Sequence, residues 1–130
     1  MNQAELTMPK QLINDTCNFC RANGRLRDPI MASSDQAYVI QAASSPENLL
    51  IIPNTHYESL ADLPDDWWLV VKNILAELQV TGDYNFSINL GPQAGQSMKH
   101  LHFWLVPRTG GKLSSGKGLA ALITELDGQA

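Results

Sequence analysis

Cysteine is scarce in this sequence, and its scarcity excludes one class of small protein. The 130 residues contain only two cysteines, Cys17 and Cys20, so the disulfide framework of small secreted domains is not expected. Their C-x-x-C spacing leaves metal binding, redox chemistry or simple burial open in a reducing compartment. A thioredoxin-like redox pair is the least favoured of these, because no β-α-β pattern surrounds the two cysteines.

Long apolar stretches are also missing. No run approaches the length of a membrane-spanning helix, and residues 1–15 lack the apolar core of a secretory signal. With 44% hydrophobic and 17% charged residues, the composition is that of a globular protein. We therefore predict one cytoplasmic domain over residues 1–130, with a core at about 17–108, a flexible tail at 109–130 and no membrane contact.

Acidic residues are absent between Asp83 and Glu125, although the formal net charge of the chain is −4. That interval contains four cationic residues, namely Lys99, Arg108, Lys112 and Lys117. The overall negative charge argues against nucleic-acid binding. The locally cationic interval instead favours a small anionic ligand.

Strand patterns dominate the chain. Tyr38-Val39-Ile40 is predicted to be a strand, and Ser44-Ser45-Pro46 a turn. The continuous apolar run from Leu49 to Ile52 is typical of a central strand buried on both faces. Clean alternation from Tyr84 to Leu90 predicts a further strand.

Helical patterns are fewer. Asp62 is predicted to cap the main helix, which carries an apolar stripe and ends near Thr81-Gly82. A short terminal helix is expected over Leu119 to Leu126, after a flexible loop at 109–118. Residues 1–16 are expected to be a short helical or irregular lead-in. This order of elements predicts an α+β fold with a mostly antiparallel sheet.

The stretch from Gly95 to Arg108 contains the strongest chemical signal. If it is a strand, His100, His102 and Trp104 share one face, and Leu101, Phe103 and Leu105 share the other. A neutral imidazole can attack phosphorus and later be displaced by water, so His102 is a candidate nucleophile. The alternative is a hydrogen-bonded, half-buried histidine with no reactive role.

A polar loop precedes these histidines. Gly95, Gln96 and Ser97 offer backbone N–H groups, an amide and a hydroxyl that suit a phosphoryl oxygen. The alternative is an ordinary hairpin connection.

A second group of candidates uses the remaining cysteines and histidines. Two thiolates and two imidazoles form a four-coordinate zinc set, supplied here by Cys17, Cys20, His56 and His100. The alternative for the cysteines is a buried thiol pair.

Three segments together resemble the histidine triad family of nucleotide-binding proteins. The segment INLGPQAGQSMKHLHFWLVPR, residues 88–108, is similar to the family pattern of Asn, Gly-Gln-Ser, three alternating histidines and Pro-Arg. CNFC at residues 17–20 and LLIIPNTHYESLADL at residues 49–63 resemble the family's C-x-F-C and its strand–Pro–His–helix element. The match departs from the family pattern in two places. Trp104 occupies the position of the third histidine, and residues 42–46 lack the ribose-binding Asp.

The resemblance implies an α+β fold with a five-stranded antiparallel sheet, in a homodimer with a continuous ten-stranded sheet. It implies cleavage or transfer at the α-phosphate of a nucleotide through a nucleotidyl-histidine. His102 matches the nucleophile, while Asn89, Gln96 and Ser97 match residues that contact the phosphate and orient the site. His56 and His100 match the histidines that complete a structural zinc site with the C-x-x-C pair.

We therefore predict a hydrolase or nucleotidyltransferase that acts on a small nucleoside phosphate derivative. Its catalytic residues are His102, Ser97 and Gln96, and its ligand-binding residues are Asn89, Gly95, Gln96, Ser97, His102 and Trp104. The principal alternative is a non-catalytic nucleotide- or anion-binding zinc protein of the same fold. A zinc-stabilised interaction module with no ligand is a third possibility.

Overall fold

The computed structural model describes residues 16–43, 45–110 and 116–129. Its strands are β1 (Ile30–Ser33), β2 (Ala37–Ala42), β3 (Ser45–Pro53), β4 (Tyr84–Ile88) and β5 (Phe103–Pro107). Its α-helices are α1 (Trp67–Glu77) and α2 (Leu119–Gln129). The predictions for residues 1–15, 44, 111–115 and 130 lie outside the described residues.

All five strands form one antiparallel sheet in the order β1-β2-β3-β5-β4. The predicted α+β fold with a five-stranded antiparallel sheet is therefore confirmed. As predicted, the apolar run forms the central strand, β3, whose two faces are both buried. Leu50 and Ile52 face one hydrophobic cluster and Ile51 faces the other.

The two clusters cover opposite faces of the sheet. Helix α1 packs on one face, where Trp67, Val71 and Ile74 meet Ile51 and Phe103. The cysteine-containing turn packs on the other face, against Tyr38, Ile40, Leu50 and Ile52. The second face is the one that carries the candidate functional residues.

The predicted ends of the main helix are wrong. Asp62 belongs to a separate 3-10 turn, Leu60–Asp62, and α1 begins at Trp67 after Asp66. The helix ends at Glu77, several residues before Thr81. Gln79 adopts a φ of 55°, its N–H bonds Ala76 O, and the N–H of Val80 bonds Leu75 O. This is a Schellman ending with glutamine in the left-handed position that glycine usually takes, so the glycine signal was misleading.

The sheet also differs from the prediction at four points. Strand β4 ends at Ile88 rather than at Leu90. Strand β1 was not predicted, because most of its residues are exposed and show no clear alternation. Ser45 and Pro46 begin β3 rather than forming a turn. Strand β5 begins only at Phe103, because the N–H of Leu101 donates to Tyr57 O instead of joining the sheet. The terminal helix is confirmed and extends to Gln129.

Candidate metal centre and adjoining histidine

Four side chains from three separate segments meet on the cysteine-turn face of the sheet. They are Cys17, Cys20, His56 and His100, and their potential ligand atoms all lie within 4.8 Å of one another. Each residue is at least nine-tenths buried. The structure thus brings together all four predicted zinc ligands, and this group could hold a metal ion.

A tight turn presents the two thiols. The N–H of Cys20 donates to Cys17 O at 3.3 Å, and the N–H of Phe19 donates to Cys17 Sγ at 3.4 Å. The turn is held from outside by Asn23, whose amide donates to Cys17 O at 2.7 Å, and by the Tyr38 hydroxyl, which donates to Phe19 O at 2.5 Å. Both sulfurs are therefore fixed toward the sheet.

Three distances within the cluster are close to those of tetrahedral coordination, and all pairs lie within 4.8 Å. His100 Nδ1 lies 3.4 Å from Cys17 Sγ and 3.5 Å from Cys20 Sγ, and His56 Nδ1 lies 3.2 Å from Cys20 Sγ. Zinc bonds to nitrogen and sulfur in a tetrahedron place neighbouring ligand atoms about 3.3–3.8 Å apart. The existing spacing is close to that range.

Both histidines direct the same nitrogen into the cluster. His100 Nε2 donates to the carbonyl oxygen of Pro53 at 2.7 Å, and His56 Nε2 donates to Glu58 Oε2 at 2.8 Å. With a proton on each Nε2, both Nδ1 atoms carry a free lone pair that faces the sulfurs. The arrangement therefore matches the requirement for neutral imidazole ligands.

Burial, together with smaller contributions from the neighbouring His56 and His102, lowers the pKa of His100 from 6.5 to about 4. The hydrogen bond to Pro53 O opposes this shift without overcoming it. His100 is consequently neutral at physiological pH, as a metal ligand must be.

His102 is bonded to the cluster through the backbone. Its side chain is buried, with only 5% of the residue exposed, and Nδ1 donates to His100 O at 2.9 Å. With the proton on Nδ1, Nε2 carries an unprotonated lone pair. The Phe19 ring packs edge-on against His102 with centroids 5.3 Å apart, and contacts His100 at 6.1 Å.

The polar loop before His100 is held by Gln96. Its Oε1 accepts from the N–H of Gly91 at 2.8 Å, and its Nε2 donates to Met98 O at 2.8 Å and Lys99 O at 3.3 Å. Gly95 has a φ of 97°, and a Cβ there would lie 3.4 Å from Asn89 Nδ2. The structure thus places Asn89 against Gly95, whereas Ser97 is exposed on the loop surface.

Trp104 is a packing residue on the same face. It pairs with Leu50 and Ser87 in the sheet and packs against the cluster that contains the two cysteines. Its indole Nε1 is buried and has no hydrogen-bond partner among the described residues.

The cations of the acid-free interval do not all surround the histidines. Arg108 lies at the other end of β5, about 20 Å along the strand from His102. There it borders a cavity of about 480 Å³ and donates to Asn85 Oδ1 and Lys117 O. Lys117 in turn pairs with Glu125 at 3.3 Å. These two side chains secure the start of α2.

Sequence reasoning missed two residues that contact the site. Phe19 was visible only as part of the C-x-F-C resemblance, and its contacts with the histidine rings depend on the folded turn. Glu58 stands two positions after His56, and that proximity was an available signal for a carboxylate partner.

Comparison with known proteins agrees with this fold. The HIT domain family model matches residues 31–111, and an uncharacterised HIT-like protein of Methanocaldococcus jannaschii is 30% identical over 71% of this chain and 78% of its own length. The chain therefore belongs to the HIT family, which confirms the resemblance. A histidine triad protein from Clostridium difficile has a similar structure, with a TM-score of 0.63 and 28% identity over 81% of this chain and 99% of that one.

Two further similar proteins are described by a bound metal or by an enzymatic activity of their own. A zinc-bound histidine triad family protein from Mycobacterium smegmatis has a TM-score of 0.62 and 23% identity, over 88% of this chain and 98% of that one. Adenosine 5′-monophosphoramidase of Saccharomyces cerevisiae is 33% identical over 60% of this chain and 51% of its own length. Within the described part of this chain, neither helix combines the length and hydropathy that crossing a membrane requires.

The pKa of His100 predicts how the metal-free protein responds to acid. The unfolded chain takes up a proton near pH 6.5, whereas folded His100 resists protonation down to about pH 4. The stability that neutral His100 contributes is thus complete above pH 6.5 and is lost as pH falls toward 4, at about 1.4 kcal/mol per pH unit. Urea unfolding between pH 7 and pH 5, with a chelator present, measures this loss.

His100→Gln is the matched control for this measurement, because it removes the ionisable ring. Its unfolding free energy should fall less steeply between pH 7 and pH 5 than that of the wild type. Equal slopes for the two proteins would show that His100 does not control the acid response.

Proposed function

We propose that the protein cleaves nucleoside phosphate derivatives at the α-phosphorus, with His102 as the nucleophile. The observation that carries this proposal is the bond from His102 Nδ1 to His100 O, at 2.9 Å. That bond fixes the tautomer in which Nε2 is free to attack, and burial limits the ring's motion.

The reaction would proceed in two displacements. The Nε2 lone pair forms a bond to the α-phosphorus while the bond from phosphorus to the leaving nitrogen or oxygen breaks. The leaving group takes a proton from water and departs, which leaves the nucleotide bonded to His102 Nε2. A second water then attacks the same phosphorus and gives up a proton to the solvent. The phosphorus–nitrogen bond breaks, and the nucleoside monophosphate leaves with His102 restored.

The preceding loop would stabilise charge on the phosphate. Ser97 is exposed on this loop, so its hydroxyl and nearby backbone N–H groups would donate to phosphate oxygens. Gln96 would act chiefly by shaping the loop, because both ends of its amide are bonded within it. Asn89, packed beside Gly95, would orient the loop toward His102.

The names of two relatives support the substrate class. One is the yeast adenosine 5′-monophosphoramidase, and another is a bis(5′-adenosyl)-triphosphatase/adenylylsulfatase of Arabidopsis thaliana, 30% identical over 51% of this chain and 41% of its own length. Both names describe cleavage of adenosine compounds in which a leaving group is attached through phosphate. We therefore propose nucleoside phosphoramidates and dinucleoside polyphosphates as the first substrates to test.

The nucleophile is tested with His102→Ala and His102→Gly. Hydrolysis of an AMP-amine and of a dinucleoside triphosphate should fall by at least about 10³-fold in both variants, because the nucleotidyl-enzyme can no longer form. Added imidazole should restore part of the activity of His102→Gly alone, since only that variant leaves room for the ring. Turnover by the wild type no faster than by His102→Ala would contradict the proposal.

A non-catalytic nucleotide-binding protein is the second candidate. Trp104 favours it, because this side chain offers only an N–H donor, which is buried. The buried, apolar Ala42 also favours it, because it begins the stretch in which the family has an Asp that binds the ribose. Calorimetric titration with AMP separates the two candidates. Binding without turnover of any substrate would support this second function and exclude the hydrolase.

We also propose that the cysteine–histidine cluster binds one structural zinc ion. Cys17, Cys20, His56 and His100 would supply its four ligands, and the zinc-bound M. smegmatis relative supports the choice of metal. Zinc thiolates persist where thiols stay reduced, so this proposal places the protein in the cytoplasm.

Elemental analysis of protein purified without chelator should find about one zinc per chain. Cys20→Ser should bind much less, because it removes a thiolate from the centre of the cluster. Ser33→Ala, at an exposed position on β1, should retain the full amount. Wild-type protein with far less than one zinc per chain would contradict the zinc site.

We further propose a homodimer joined at the edge strand β4. Two hydrophobic side chains lie exposed at this edge of the fold, Tyr84 on β4 and Trp68 on α1, where the Trp68 ring contacts Phe86. Pairing two copies through β4 would cover these side chains and the unpaired edge of β4 in each copy.

Native mass measurement should give twice the chain mass of 14.3 kDa. Trp68→Glu should produce monomers, because a buried charge at the interface is costly, whereas Leu119→Glu on α2 should remain dimeric. A wild-type protein of single-chain mass would rule out the dimer.

A further inference from the structure

We infer that Glu58 is a positioning residue for the metal centre, holding His56 in the orientation and tautomer that metal binding needs. This inference rests on the proposed zinc site and adds a residue that is not one of the four proposed ligands. It begins from the hydrogen bond between His56 Nε2 and Glu58 Oε2, at 2.8 Å.

The two metal-facing histidines are oriented by different kinds of partner. His100 donates to a backbone carbonyl, Pro53 O, at the buried end of β3. His56 follows that strand and donates instead to a carboxylate whose side chain is about half exposed. Mutation cannot remove the carbonyl of Pro53, but it can remove the carboxylate of Glu58. The orientation of His56 is therefore the adjustable part of the centre.

The geometry gives Glu58 two separable effects. Its oxygen accepts the Nε2 proton, which keeps the proton off Nδ1 and stops the ring from turning away from Cys20 Sγ, 3.2 Å distant. Its negative charge also increases the electron density that Nδ1 can give to a divalent cation. Carboxylate partners of metal-bound histidines commonly change metal affinity by about 10–100-fold.

The exposed position of Glu58 makes this effect separable from folding. Its side chain is 49% exposed and, within the described part of the chain, hydrogen-bonds only to the His56 imidazole, whereas the His56 side chain is 4% exposed. Replacing Glu58 should leave the core intact and release only the His56 ring. The loss should thus appear in metal binding before it appears in metal-free stability.

The experiment compares the wild type with Glu58→Ala, Glu58→Gln and Glu47→Gln. Each full-length, metal-free protein is titrated with zinc in competition with a chromophoric chelator. Cobalt titration then reports the coordination geometry through visible absorption. Glu47 is the matched control, because it is an exposed glutamate on β3.

Glu58→Ala should bind zinc about 10–100-fold more weakly than the wild type, with an altered cobalt spectrum. Glu58→Gln keeps an acceptor oxygen without the charge, so it should recover part of the affinity and the wild-type spectrum. Glu47→Gln should match the wild type, and all four metal-free proteins should unfold at similar temperatures.

The outcomes separate this inference from the zinc site itself. If the wild type binds zinc tightly and Glu58→Ala binds it equally well with an unchanged cobalt spectrum, the role of Glu58 is excluded and the zinc site stands. If Glu58→Ala and Glu47→Gln lose affinity equally, a general charge effect replaces the positioning role. If the wild type binds no zinc, both proposals fail.

Discussion

The buried imidazole of His100 is the constraint on which the functional face depends. The residue is fully buried, and three of its polar groups have partners: Nε2 bonds Pro53 O, Nδ1 faces two sulfurs, and the backbone carbonyl accepts from His102. A buried polar group without a partner costs about 1–3 kcal/mol. The chain around His100 is thus held from three directions at once. The extended segment before β5 cannot move without disturbing the contacts of His100 with Pro53, the two sulfurs and His102.

This constraint explains why β5 begins later than the alternation of the sequence suggests. A regular strand through residues 100–102 would use the backbone groups of that segment in the sheet. Instead Leu101 N–H bonds Tyr57 O, and His100 O serves His102. The side chains still share faces as predicted, since Trp104 packs with the cysteine cluster and Phe103 with helix α1. Periodicity in the sequence reports which side of the chain is buried, and it does not report which backbone groups pair.

The same distinction separates what the sequence could predict from what it could not. Residue chemistry and order were enough for the antiparallel sheet, the central strand and the four potential metal ligands. The end of α1 and the edge strand β1 were not, because Gln79 takes a left-handed conformation that usually favours glycine, and β1 is mostly exposed without a clear alternation. The internal bonds of Gln96 were also hidden, since an amide in a polar loop can equally well face a ligand or its own backbone.

The cysteine turn connects the candidate metal cluster with His102, whichever function the protein performs. Phe19 lies between the two cysteines, and its ring contacts both His100 and His102. Asn23 and Tyr38 also hydrogen-bond to backbone carbonyls of the turn, so the position of the Phe19 ring is coupled to that of the thiols.

A metal held by Cys17 and Cys20 would therefore limit the motion of Phe19, and Phe19 would limit the motion of His102. In a hydrolase this restraint favours attack by Nε2 along one direction, whereas in a binding protein it keeps the same nitrogen aimed at a bound phosphate. Trp104 would limit a hydrolase at this site, because its indole can donate a hydrogen bond but cannot supply the proton that a poor leaving group requires. Leaving groups that depart readily as anions, or that take a proton from water, are thus the ones this site could release.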